Sequence, residues 1–260
     1  MSFWKWSKAE KTRTQFMPAG KVAYAVGDIH GSLGLLQAML ESIANKSAQL
    51  DQGRPTIIFL GDYVDKGDDP SGVIDALIEA KSNDRFNWVF LKGNHEDALL
   101  TFLKHPEFGP QWLQFGGAPT MLSYGVTPPT ARSEPEVWEA AAQQLLGSIP
   151  SSHMDFYQKL GLAYRMGGYF FVHAGIRPGK AIEAQRDEDL LWIRSEFLED
   201  RRALPVIVVH GHSPDMEPYS DHRRIGVDTG AYATGRLTCV RLEADRVDWL
   251  HVTRADLKPG

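Results

Sequence analysis

The pattern that most constrains this chain is a unit that occurs three times before Lys104: a short apolar run, a polar loop, and a stretch of helical period. Residues 22–26 read as a buried strand and Gly27-Asp28-Ile29-His30-Gly31 as its loop. Residues 33–44 then place Leu36, Met39, Leu40 and Ile43 on one helical face. Residues 56–60 form the second strand, Gly61-Asp62-Tyr63-Val64-Asp65-Lys66-Gly67 its loop, and about 71–81 its helix. Residues 88–91 form the third, followed by Gly93-Asn94-His95-Glu96 and a helix to Lys104. Strands alternating with helices pair in parallel through right-handed crossovers, so all three loops leave the same edge of one sheet.

The stretch 106–161 is different, with clustered Pro and Gly around one expected helix at 136–146, and it reads as a helical cap inserted into the fold. Strands resume at 169–172, ending in His173-Ala174-Gly175, and at 206–209, ending in His210-Gly211-His212. Residues 236–242 and 246–252 alternate as a hairpin around Glu243-Ala244-Asp245. The expected fold is α/β: a two-sheet β-sandwich flanked by helices, forming one domain over 21–260, with a helical cap insertion. Residues 1–20, rich in Lys and Arg, are expected to be a flexible tail. A core of this size needs no disulfide, and the single cysteine, Cys239, excludes one within the chain.

Charge and hydropathy narrow the function. Lys and Arg total 28 against 33 Asp and Glu, a net charge of -5 that argues against a general affinity for nucleic acid or membrane surfaces. The apolar runs are too short to span a bilayer, and no signal-like run precedes residue 22, so a cytoplasmic enzyme is expected. With one cysteine, any metal ligands must come from His, Asp, Glu and Asn.

Such residues recur at the strand ends. Asp28 and His30 stand two apart after the first strand, Asp62 and Asn94 follow the next two, and His173 and His212 follow two later ones. One Asp-x-His alone carries little weight, but donors repeated after five strands do. Hard oxygens and imidazoles in this number suit two divalent ions that share a carboxylate, an arrangement that activates water and neutralises a phosphoryl group.

In order, the loops named above, with His173-Ala174-Gly175 and Gly211-His212, resemble the signature blocks of the calcineurin-like metallophosphoesterases. More narrowly they resemble the phosphoprotein phosphatase branch in its bacterial serine/threonine form. The resemblance implies that Asp28 and His30 bind a first metal, Asp62 bridges both, and Asn94, His173 and His212 bind the second. It implies His95 as the general acid that protonates the leaving oxygen and Asp65 as the residue that orients it, with direct attack by a metal-bridging hydroxide. An imidazole paired with a carboxylate suits that task near neutral pH. Arg194 resembles a phosphate-binding arginine of the branch. Lys66 stands where the branch carries another, offering a point charge in place of a planar fork. Gly211-His212-Ser213-Pro214 replaces the family's Gly-His-x-His, leaving water to complete the first metal.

The resulting expectation is a phosphomonoesterase using two divalent ions, Mn²⁺ first and Fe or Zn²⁺ as alternatives, acting on a phosphorylated protein or peptide. Related bacterial enzymes with the same centre hydrolyse dinucleoside polyphosphates such as diadenosine tetraphosphate, and some members accept phosphotyrosine, so a phosphorylated small molecule is the alternative substrate. A non-catalytic phosphate-binding protein is disfavoured because all six ligands are present, and a nuclease by the acidic balance. No stable nucleic acid or membrane partner is expected. Trp112, Phe115 and Tyr124 are candidates to line a substrate groove or to fill the core. His210 is expected to be structural, and His105, His153, His222 and His251 to lie outside the site.

Overall fold

The computed structural model describes residues 16–48 and 53–257, so most of the basic segment expected to be flexible lies outside the described residues. The repeated unit forms as expected. β1 (Val22–Val26), β2 (Thr56–Phe59) and β3 (Asn87–Phe90) alternate with α1 (Leu33–Ser47), α2 (Pro70–Ala80) and α3 (Asn94–Lys104). Both pairings among these strands are parallel, with Val26 opposite Phe59 and Phe59 opposite Phe90. α2 starts where its chemistry dictates: Pro70 occupies the first turn, and the Asp69 carboxylate accepts the Gly72 N–H at 2.9 Å.

Four helices follow: α4 (Gly109–Phe115), α5 (Ala118–Ser123), α6 (Pro135–Ser148) and α7 (Ser151–Gln158). Only α6 is legible as periodicity, because α4 and α5 are short and punctuated by Gly and Pro. The second half contains β4 (Ala163–Met166), β5 (Tyr169–Val172), α8 (Asp187–Trp192), α9 (Ser195–Leu198), β6 (Ile207–His210), β7 (Tyr219–Ser220), β8 (Arg224–Gly226) and α10 (Ala231–Thr234). The hairpin β9 (Arg236–Glu243) and β10 (Arg246–Thr253) closes the chain, turning through Ala244 at φ 50°.

These strands make two five-stranded sheets, β10-β9-β1-β2-β3 and β4-β5-β6-β8-β7. Side chains alternate across each strand, which decides what each face buries. Ala23, Ala25, Ile58 and Leu60 of the first sheet meet Tyr169, Phe171, Ile207 and Val209 of the second in one buried cluster. Tyr24, Val26, Ile57 and Phe59 face the opposite way, against Leu36, Met39, Ile74 and Phe102 of the helices. Phe170 and Val172 pack beneath Leu190 and Phe197 on the far face of the second sheet. The chain is therefore a two-sheet sandwich flanked by helices. Its β1, β2, β3, β5 and β6 loops meet at one edge, where every expected metal ligand lies. No described helix is long and apolar enough to cross a membrane.

Candidate metal centre

The backbone at this edge is contorted. Only six described non-glycine residues have positive φ, and five are His30, Asp62, Asp65, Lys66 and His212. Left-handed backbone at such residues is strained, and strain of this kind gathers where a side chain must be aimed. Gly31 and Gly61 permit the tight contacts between loops: a Cβ on Gly61 would fall 2.5 Å from the Gly93 nitrogen, and one on Gly31 2.8 Å from the Gly67 carbonyl carbon.

Two triads result. His30, Asp62 and His95 form one, Asp62, His173 and His212 the other, and in each the potential ligand atoms lie within 4.8 Å of one another. Asp62 belongs to both. Its carboxylate lies 3.4 Å from the Nε2 atoms of both His30 and His173. Asn94 joins the second triad, its Oδ1 sitting 2.8 Å from His173 Nε2 and 2.8 Å from His212 Nδ1. Asp28 is buried beside them, accepting the His212 N–H at 3.0 Å.

The donors fit cations. His30 Nδ1–H donates to the Val64 carbonyl at 2.8 Å and His173 Nδ1–H to that of Leu60 at 2.9 Å, which turns each Nε2 lone pair toward the centre. The His173 Nε2 lone pair then faces the Asn94 side-chain oxygen at 2.8 Å, and a cation held by both acceptors would suit this contact. Two polar atoms of the centre, Asp28 Oδ1 and His212 Nε2, are buried with no hydrogen-bond partner among the described residues. Lys66 Nζ, a cation of the chain itself, donates to His30 Nε2 at 3.0 Å.

The electrostatics agree. Burial, then Asp228, then Asp62, raise the Asp28 carboxyl well above its ordinary range. Burial pushes Asp228 up to about 6. Burial lowers the imidazoles of His30, to about 3, and of His173 and His212. For Asp62 burial works upward, but His173, His95, His30 and His212 outweigh it and hold the carboxyl low. Neutral imidazoles beside crowded carboxyls are the protonation states that coordinate divalent ions. Titrating the metal-free protein with Mn²⁺ to about a hundred times its Kd is expected to stabilise it by about 2.7 kcal/mol. A thermal melt should rise by roughly 5–10 °C, and an unmoved transition would contradict the assignment.

His95 has a different setting. Its Nδ1 lies 2.7 Å from Asp65 Oδ2, and that carboxylate is held in turn by Trp112 Nε1–H at 2.9 Å and Thr120 Oγ1–H at 2.6 Å. Burial alone would lower the His95 imidazole, but Asp62 and then Asp65 more than compensate and raise it. His95 thus shares the first triad with His30 and Asp62, and Asp28 lies buried at the same centre. Arg194 is exposed at the start of α9, and its charge reaches both His173 and His212. Of the three aromatic candidates, Phe115 fronts the site, 6.5 Å from His95 and 5.4 Å from Trp192. Trp112 is core, bonded to Asp65, while Tyr124 bonds His153 and Tyr157. His210 is buried and holds the Gly211 carbonyl at 3.0 Å.

One residue of the quoted blocks does more than its position suggests. The Glu96 carboxylate is fully buried and accepts N–H groups from Asp62, Tyr63, Val64 and Gly93, at 2.7–3.2 Å. Burial and then Asp62 push it up to about 7, against the pull of those backbone donors. Its acidic type at the third helical position hints at a cap, but only folding shows that it pins the second loop to the third. Glu96→Ala would strand four buried donors and is expected to cost roughly 3–5 kcal/mol in denaturant unfolding. Glu96→Gln, which keeps one oxygen, should cost less.

Comparison with known proteins agrees with this geometry. Bis(5'-nucleosyl)-tetraphosphatase PrpE [asymmetrical] of Anoxybacillus flavithermus is 25% identical over 236 residues, covering 83% of this chain and 88% of that protein. The protein of the same name from Bacillus subtilis is 26% identical over the same shares. A solved structure provisionally described as a diadenosine tetraphosphatase superposes with a TM-score of 0.60 at 21% identity, covering 90% of this chain and 94% of its own. A cold-active protein tyrosine phosphatase superposes at 0.54 with 15% identity, covering 94% and 83%. The calcineurin-like phosphoesterase model matches residues 23–251, from β1 into β10 and through both triads, so this chain belongs to the calcineurin-like phosphoesterases and is a metal-dependent hydrolase.

Proposed function

We propose that the protein hydrolyses dinucleoside polyphosphates of the diadenosine tetraphosphate type. The observation that carries this is the similarity of 83% of the chain, at 25–26% identity, to bis(5'-nucleosyl)-tetraphosphatases of two bacteria. The serine/threonine phosphoprotein phosphatase expected from the sequence becomes the second reading. It rests on the Gly61–Gly67 and Gly93–Glu96 blocks, which the two activities would use alike.

In the proposed site Asp28, His30 and Asp62 would hold one divalent ion, and Asp62, Asn94, His173 and His212 would hold the other. Oxygen and imidazole donors without thiolate suit Mn²⁺ first, then Fe or Zn²⁺. When bound, the ions supply charge neutralisation at the phosphoryl group and a nucleophilic water at neutral pH. The chain's own residues do the rest. Lys66 and Arg194 bring positive charge to the phosphoryl oxygens. His95 delivers a proton to the departing oxygen, and Asp65, fixed by Trp112 and Thr120, keeps the imidazole charged and aimed.

The test is a rate comparison on Mn²⁺-loaded protein. Diadenosine tetraphosphate is expected to be cleaved with kcat/KM at least about tenfold above a phosphoserine peptide, a preference worth about 1.4 kcal/mol. The reverse order would restore the phosphoprotein reading.

A further inference from the structure

A cleft of about 360 Å³ opens beside His30, between the first turn of α1 and the segment that carries α10. Its wall includes Ser32, Lys66, Asp68, Tyr232, Arg254 and Leu257. Nothing in the metal centre uses its outer half. We propose that it holds a nucleotide moiety of the substrate, the part that remains outside when one phosphoryl group sits at the triads. This rests on the dinucleoside polyphosphate reading above and extends it to a location.

The size fits, because cavities that hold small ligands start near 300 Å³. So does the order of chemistry along the wall. At the inner end Lys66 Nζ lies 3.0 Å from His30 Nε2, where a phosphate chain leaving the triads would pass first. Next comes Tyr232, whose ring is edge-on to His30 at 5.5 Å and has Lys66 Nζ 5.2 Å from its centroid. The ring remains 41% exposed, a large aromatic surface held at the mouth of a polar site. A π-face of this kind stacks a nucleobase, a contact worth about 1–3 kcal/mol per base. At the outer end Arg254 is exposed, and its guanidinium has no ion pair or hydrogen bond among the described residues. Gly235, at φ 71°, lets that side chain lie against the backbone, since a Cβ there would come within 2.7 Å of Arg254 Nε. The first turn of α1 carries no acidic side chain, so the positive end of its dipole reaches the cleft, while half-buried Asp69 on the same wall is engaged in capping α2. Asp68 is the one exposed carboxylate on the wall, and it suits ribose hydroxyls rather than phosphate. The cleft therefore offers cation, aromatic face and cation in sequence, matching phosphate, base and phosphate or ribose edge. A phosphoserine side chain would leave most of it unfilled.

The experiment measures kcat and KM for diadenosine tetraphosphate and for nitrophenyl phosphate, which has no nucleotide, on Mn²⁺-loaded parent, Tyr232→Ala, Tyr232→Phe and Arg254→Gln proteins. Both altered side chains are exposed, and melting temperatures confirm folding. Tyr232→Ala and Arg254→Gln are each expected to raise KM for the dinucleotide about tenfold more than KM for nitrophenyl phosphate, with Tyr232→Phe close to the parent. Equal losses on both substrates, or no change on the dinucleotide, would overturn the cleft assignment while leaving the substrate reading standing. A parent protein that turns over phosphopeptides but not the dinucleotide would overturn both.

Discussion

Asp62→Asn is expected to lower kcat/KM by more than about a thousandfold on every phosphoester, with little change in unfolding free energy. Asp62 is the only residue common to the two triads, so its loss reaches both proposed ion sites at once. The fold should survive for two reasons. Residue 62 sits at φ 54°, a left-handed conformation that asparagine tolerates almost as well as aspartate. The amide oxygen of the variant also still accepts the His95 N–H that Asp62 Oδ1 accepts at 3.1 Å. Calorimetric titration should show weakened Mn²⁺ binding in the same protein. Activity within tenfold of the parent, at full metal loading, would remove Asp62 from its shared role.

His95→Gln should divide substrates by leaving group. A positioned general acid is worth about 10²–10⁴ in rate, and the full loss is expected on phosphoserine, whose alkoxide cannot depart unprotonated. Nitrophenolate needs no proton and should be nearly unaffected, with the polyphosphate leaving group of a dinucleotide in between. Uniform losses across the three would assign His95 to the metal triad that geometry also allows. The pH dependence gives a second readout. Because carboxylates raise the His95 imidazole, the charged acid persists to higher pH than an ordinary histidine, and activity is lost as pH rises through that raised value. Asp65→Asn removes one of those carboxylates. At equal metal loading its alkaline limb should therefore move to lower pH, and an unmoved limb would show that Asp65 does not tune the acid.

What the sequence revealed and what it hid follow from the range over which each signal acts. The six proposed metal donors were legible because each directly follows an apolar run, so the strand period and the loop identify them together. The three crossover units were legible for the same reason. Hidden were the relations between loops. That Glu96 ties down the N–H groups of the second loop depends on two loops meeting some thirty residues apart, as the 2.7 Å bond to Tyr63 N shows across a separation of 33. The pairing of Asp28 with Asp228 and the grip of Trp112 and Thr120 on Asp65 are equally non-local. Strands such as β7 and β8 escaped because two or three residues are too short to show alternation. Lys66 was read as an imperfect arginine, and only the fold shows its ammonium group seated on His30.

The two triads also differ in when the growing chain can supply them. His30 and Asp62 lie in the loops after β1 and β2, and His95 in the first turn of α3 after β3, so one contiguous stretch of the first half contains the whole of the first triad. The second needs β5 and β6 of the other sheet, and Asn94 must reach a histidine 118 residues further on. During synthesis the donors emerge in two instalments, and the second becomes a binding site only once the sheets have closed on each other. Capture of an ion at the second triad would thus report that the two sheets have met, whereas the first triad asks only for the first three β-α units.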